Sequence, residues 1–329
     1  MTGLLHYCQG FASAHRPWLE TPLPNQPELE WWHSLLRDSG NASSLAGVPL
    51  VLQLEQALPQ LLLPHHEGIS LSELYRSCVL RGEPANEHTD ALLSPSPVWQ
   101  APHKLQLWIA PHPCGHVPVL LTPSWSDFQH LVWALAHRGE PVNVADGVHA
   151  QAVSGLIHWG LIACFGRASR ASLIILHEAP YGSVAAIHVP GSLTDQQWLA
   201  ASTTLRLEHE LTHLATKRLL GEMRLNLLDE LIADCMGMIA AIGLFDATLF
   251  ARCLGVHTSD GRWTTYVPEL SMDDSQQALA MVMQRSREVE EALLRHQALL
   301  LPERAMDRLH WLCQQRLDQP VTEPNATRC

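Results

Sequence analysis

Two histidines stand four residues apart, with a glutamate directly after the first: His209-Glu210-Leu211-Thr212-His213. On a helix, residues at this spacing lie one turn above the other on the same face. Both imidazoles can then reach one ion at the zinc–nitrogen distance of about 2.0–2.1 Å. Glu210 can bring its carboxylate to the open side of that ion, where a water binds. A catalytic zinc takes three protein ligands, and two imidazoles do not complete the set. The next acidic cluster is Asp229-Glu230-Leu231-Ile232-Ala233-Asp234. It offers Glu230 as the third ligand. Asp234, one turn further on, can accept the free ring N–H of His209 and fix its tautomer. Acidic groups inside an otherwise apolar helix, as in Leu228–Cys235, are costly unless paired or bound to metal. The plain alternative is a helix whose Glu and His only face water, and a chain with twenty histidines raises the odds of a chance motif.

The elements around these residues must bring them together. Thr194-x-x-Gln197 is a capping box opening a long helix over about 195–220, with Gly221 at its stop. A second helix over about 226–242 is closed by Gly243. If the chain reverses at Gly221, Glu230 returns beside the two histidines. Upstream, 104–110 and 116–122 alternate like strands, and Ser124-x-x-Asp127 begins a helix ending near Gly139. Residues 148–165 read as a buried helix. Strands at 171–176 and 183–189, joined by Ala179-Pro180-Tyr181-Gly182, read as a hairpin. In the first hundred residues, Ser70-x-x-Glu73 reads as a capping box for a helix stopping before Gly82, and 82–103 as a proline-rich loop. Residues 271–300 and 303–317 read as helices, with a frayed tail from Gln319.

The fold class is therefore α+β. A small mixed sheet from about 104–122 and 171–189 is expected over the active-site helix, with a mainly helical C-terminal part. The regions expected are an accessory helical and loop segment at 1–103, a core at 104–270, packing helices at 271–318 and a tail at 319–329.

Composition narrows the function classes. A chain 47% apolar is globular, and a net charge of -12 argues against nucleic-acid and anionic-membrane partners. A local basic patch at Lys217, Arg218 and Arg224 stays open. The first ten residues lack a cationic start and a long apolar run, and no stretch reads as a membrane span. The eight cysteines form no CxxC pair and read as reduced thiols of a cytoplasmic protein. Cys114-Gly115-His116 reads as incidental, and Pro64-His65-His66-Glu67 as a solvated loop. No cofactor besides zinc is indicated.

His209, Glu210 and His213, followed by Glu230 and Asp234, resemble the gluzincin branch of zinc metallopeptidases, the thermolysin-like and M1-aminopeptidase-like group. The metzincin pattern is excluded, because Thr216 and Leu219 stand where its glycine and third histidine would be. The whole chain is also similar to an uncharacterised group of bacterial proteins carrying H-E-x-x-H and a segment like Leu228–Asp234. The gluzincin resemblance implies a zincin-like fold and zinc-dependent hydrolysis of a peptide or amide, with Glu210 as the proton-transferring base. It also implies a second donor for the oxyanion, a tyrosine or histidine. Tyr181, just before the metal helix, is the first candidate and Tyr266 the second, ahead of His188 and His257. The strand at 183–189 would then take up an extended substrate. The chain departs from the group in a shorter His213–Glu230 spacing. It also lacks the Asn-Ala-x-Trp and Gly-x-Met-x-Asn strands, so endo- and exopeptidase readings stay open. The expected partner is a peptide or an amide-containing small molecule; oligomeric state is not indicated. The competing readings are a metal-stabilised binding or interaction protein without turnover, and a non-peptidase enzyme using the same triad.

Overall fold

The run Leu173-Ile174-Ile175-Leu176 has no exposed side chain, so it needs a pairing partner on each side and cover on both faces. The computed structural model, which describes residues 2–40, 49–83, 97–145, 147–166, 171–258 and 261–324, supplies the strands. They are β1 (Gln106–Ala110), β2 (Val117–Thr122), β3 (Ala150–Leu156) and β4 (Ala171–His177). The sheet order is β1-β2-β4-β3. β1 and β2 pair antiparallel, with Gln106 opposite Leu121. β2 and β4 run parallel, with Val119 opposite Ile174, and β3 closes the other side antiparallel, with Ala150 opposite Leu176. The β3 register shifts between Ser154 and Leu156, where Gly155 at φ 127° takes a conformation that side chains disfavour.

The helices are α1 (Thr2–Tyr7), α2 (Leu29–Gly40), α3 (Leu50–Ala57), α4 (Trp125–Ala136), α5 (Trp159–Phe165), α6 (Asp195–Leu220), α7 (Leu227–Ile242), α8 (Ala247–Cys253), α9 (Met272–Arg295) and α10 (Ala305–Cys313). The chain divides into two compact units, Pro22–Glu178 and Met1–Thr21 with Ala179–Cys329. The expected boundary at 103/104 falls inside the first of these. That unit carries the whole sheet, with a core that includes Trp32, Leu61, Leu120, Phe128, Leu131 and Ile175. The other carries the α6–α7 pair, and its buried side chains include Leu205, Leu231, Met238, Phe250, Val289 and Leu309. The α+β class holds, with a small mixed sheet.

Four local expectations are corrected. Residues 148–165 are β3 followed by the short α5, not one helix. The segment 183–189 is no strand: it forms 3-10 turns at Tyr181–Ser183 and Ala186–His188. β4 already has neighbours on both edges, and Gly182 and Ser183 have φ 58° and 57°, outside extended geometry. Ser72, not Ser70, caps the helical turn at Glu73, while the Ser70 amide bonds Glu140. The segment after Gln319 is tied down as far as described: Val321 donates to Glu288, Trp311 donates to the Thr322 carbonyl, and Glu323 pairs Arg295. Most of the 82–103 loop, residues 84–96, lies outside the described residues. No helix among the described residues is long and apolar enough to cross a membrane. The seven described cysteines are free thiols.

Candidate metal centre

α6 is 26 residues long, about 39 Å at the helical rise. Its start is fixed by the expected capping box: Thr194 accepts from the Gln197 amide at 3.2 Å and Gln197 accepts from the Thr194 amide at 2.9 Å. Gly221, left-handed at φ 78°, ends it. The chain then turns through Leu225, a non-glycine residue held at φ 50°. Asp229 holds this turn by accepting from the amides of Arg224 and Leu225 at 3.2 and 3.0 Å. Asn226 caps α7 by accepting from the Asp229 amide at 3.0 Å. α7 returns along α6, and the two helices meet in rungs.

One rung is His209 to Asp234, with Nδ1 and Oδ1 2.7 Å apart. The next is His213 to Glu230, with Nε2 and Oε1 3.3 Å apart. The His209 Nε2 atom lies 3.0 Å from His213 Nε2 and 3.6 Å from Glu230 Oε2. Behind His213, its Nδ1 lies 3.3 Å from Asp229 Oδ2. His209, His213 and Glu230 thus form one buried group able to hold a metal ion. Four donors about 2.0–2.1 Å from a tetrahedral ion stand about 3.3–3.4 Å apart. The two Nε2 atoms stand 3.0 Å apart, and Glu230 meets His213 with Oε1 at 3.3 Å and His209 with Oε2 at 3.6 Å, all near that edge.

Proton accounting supports the same conclusion. His209 Nδ1 is hydrogen-bonded to Asp234 and so turns its Nε2 lone pair inward, while His213 Nδ1 faces Asp229 at 3.3 Å without a hydrogen bond and its Nε2 faces His209 and Glu230. The two rings and the Glu230 carboxylate converge, and a positive charge must sit among them. In the metal-free chain that charge is a proton. Burial alone would lower His213, but the Asp229 and Glu230 carboxylates raise it well above the usual histidine range. Burial alone would raise Glu230, yet the neighbouring His209, His213 and Arg262 hold it down at about 2. One proton cannot serve every acceptor, and Glu230 Oε2 is left buried without a hydrogen bond. The residues therefore fit a divalent ion.

A divalent metal binding here must displace the His213 proton, so binding releases about one proton and weakens as pH falls. Calorimetric zinc titrations in two buffers of different ionisation enthalpy count it. A heat independent of buffer would contradict His213 as a ligand.

A second layer holds this group in place. Tyr181 is fully buried, and its hydroxyl donates to Asp234 Oδ1 and lies 3.0 Å from His209 Nδ1. The structure therefore brings Tyr181 to the site, but behind His209, where it orients the ring. Tyr266, the second candidate, packs against Arg262, whose guanidinium lies 5.9 Å from its ring centroid. His188 and His257 are exposed on turns. Glu210 follows His209 on α6 as expected; it is half-buried, and its charge is felt by Arg206 one turn before it.

Sequence reasoning missed Asp229 and Arg262. Arg262 Nη2 lies 3.4 Å from Asp234 Oδ2 and 3.6 Å from Glu230 Oε2. Its guanidinium packs over the rings of Tyr181 and Tyr266, 5.3 and 5.9 Å from their centroids. Asp229 carried a readable signal, since it is a second acid in the same apolar helix. Arg262 carried none, because it arrives from a turn beyond α8. Cys114 and His116 join no such group among the described residues.

A family model described as "Family of unknown function (DUF7005)" matches residues 1–172 and 167–322. The chain belongs to the DUF7005 family. No curated protein and no solved structure matches it. For this DUF7005 chain, the function must be argued from the site.

Proposed function

We propose that this chain is a zinc-dependent hydrolase of a peptide or amide bond, with a gluzincin-like site in which His209, His213 and Glu230 hold the ion. The observation that carries this is the convergence of three lone-pair donors at separations suited to a tetrahedral ion, with a glutamate following the first ligand. Two imidazoles and a carboxylate suit zinc and leave one coordination position for water or substrate. Zinc bound there supplies an acidified water and polarises the scissile carbonyl. Glu210 accepts a proton from the attacking water on its carboxylate and passes it to the leaving amine. Asp234 holds the His209 ring by its Nδ1 atom, Asp229 faces His213 Nδ1 at 3.3 Å, and Tyr181 fixes Asp234. Arg262 balances the surplus of carboxylates.

One observation favours a second reading, a metal that only braces α6 against α7. The three ligands are at most 5% exposed.

Glu210→Gln separates the two. Mass spectrometry should find close to one zinc per chain in both the parent and the variant. The variant should hydrolyse an internally quenched peptide and amide library about 10²–10⁴-fold more slowly. A zinc-loaded parent that turns over nothing in such a library leaves the bracing role. A parent without metal overturns both.

A further inference from the structure

The N-terminal segment grips the turn between α6 and α7 at three points. Glu222 accepts from the Ala12 amide at 3.0 Å. Arg224 donates to the Gly10 and His6 carbonyls at 2.6 and 3.3 Å. The Asn226 side-chain amide donates to the Tyr7 carbonyl at 3.3 Å, and the Leu227 amide donates to the Tyr7 hydroxyl at 3.0 Å. The segment is itself anchored at Cys8, which is buried and whose carbonyl accepts from the Leu317 amide at 3.0 Å.

This grip falls on the turn that supports the metal centre. The turn holds Leu225 at φ 50°, a conformation that a side chain keeps only where its surroundings enforce it. The Arg224 and Leu225 amides donate to Asp229 Oδ2, the oxygen that faces His213 Nδ1 at 3.3 Å. A turn that relaxes therefore carries Asp229 away from His213.

Tyr7 does more than close the turn. Leu227 is the first residue of α7, so its amide has no acceptor inside the helix, and the Tyr7 hydroxyl supplies one. The same hydroxyl donates to the Tyr266 carbonyl at 3.0 Å. Tyr266 ends the 3-10 turn that begins at Arg262. One hydroxyl thus joins the start of α7, three residues before Glu230, to the turn that carries Arg262. Arg262 Nη2 and Glu230 Oε2 lie 3.6 Å apart across that junction.

We propose that Tyr7 is a positioning residue of the metal centre: through its hydroxyl, the N-terminal segment sets where Asp229 and Glu230 stand against the two histidines. The proposal rests on the metal-binding part of the reading above and is independent of turnover. The segment expected to be accessory is then a working part of the site.

The test uses full chains. Tyr7→Phe removes only the hydroxyl. Ser271→Ala, the comparison, removes the cap that Ser271 gives the Asp274 amide at the start of α9 and so lowers stability outside the turn. Zinc affinity is measured by competition with a chromophoric chelator, and the visible absorption of bound cobalt(II) reports coordination geometry. Tyr7→Phe should bind zinc about tenfold more weakly, as expected when a ligand loses its support, and should shift the cobalt bands. Ser271→Ala should lower the denaturant midpoint yet keep the parental zinc affinity and cobalt spectrum. Parental affinity or a parental spectrum in Tyr7→Phe would overturn the proposal. So would an equal loss in Ser271→Ala, which would trace the effect to stability alone. Should Tyr7→Phe fail to fold, Arg224→Met, which frees the Gly10 and His6 carbonyls, takes its place under the same outcomes. A parent that binds neither zinc nor cobalt would overturn the metal reading itself, and this proposal with it.

Discussion

Glu230→Ala is expected to abolish zinc binding and to destabilise even the metal-free chain by about 3–5 kcal/mol, the cost of removing one partner from a buried charge group. Glu230 is 1% exposed, and its oxygens face His209, His213 and Arg262. Alanine leaves three groups to find other partners. His213 can shed its proton, since Glu230 is one of the two carboxylates holding it there. Arg262 has no such escape, because a guanidinium does not deprotonate in proteins. Arg262 keeps Asp234 Oδ2 at 3.4 Å, so only part of the loss is assigned to it, and removing it as well should restore a small part of the stability. Urea unfolding in the presence of chelator, across Glu230→Ala, Arg262→Gln and the double variant, reads the coupling directly. Calorimetry with zinc reads the metal. Glu230→Gln, which keeps the shape and one carbonyl oxygen, should lose less stability than Glu230→Ala. A Glu230→Ala chain that binds zinc with parental affinity and loses under about 1 kcal/mol would remove Glu230 from the site altogether.

The residues of this group were legible to different degrees, and the difference is physical. His209 and His213 lie on one helix, where spacing alone implies a shared face, and the caps at Thr194 and Gly221 mark that helix at both ends. Glu230 and Asp234 were legible because acids in an apolar helix demand partners. Asp229 obeys the same rule, yet its side chain serves both the turn and His213, a double use that only the folded turn reveals. Tyr181 was found for an incomplete reason: its position before the metal helix predicts nearness, not which nitrogen of His209 it meets. Arg262 depends on a long-range return of the chain and leaves no periodic trace. In the sheet, β4 was legible as an unbroken apolar run. β3 was not, because Gly155 and the bulge disturb its alternation and α5 follows after only two residues. The false strand at 183–189 has alternating apolar residues, but their burial comes from turns, with Trp198 donating to the Val184 carbonyl where a ladder bond was expected.

The rungs of the site depend on how closely two backbones approach, which makes Gly237 decisive. An added Cβ on Gly237 would meet the Leu205 carbonyl oxygen at 2.6 Å and the Leu205 side chain at 3.1 Å. Leu205 is one turn before His209 on α6, and Gly237 is three residues beyond Asp234 on α7, so this contact is the rung next to His209–Asp234. Two effects of Gly237→Ala oppose each other. Helix propensity favours alanine by about 0.8–1.0 kcal/mol. Overpacking against backbone, which cannot rotate away, costs about 1–3 kcal/mol, and 2.6 Å is well inside contact distance. Packing should win, so Gly237→Ala is expected to destabilise the chain, and Gly237→Val to do so more strongly. The larger effect should fall on the metal. Spreading the helices at this rung lengthens the His209–Asp234 hydrogen bond, and loss of such a supporting partner typically weakens metal affinity about 10–100-fold. Denaturant midpoints and zinc affinities of the two variants decide it. A Gly237→Ala chain more stable than the parent, with unchanged zinc affinity, would mean that α6 and α7 yield without moving the ligands, and that close backbone contact does not set the geometry of the site.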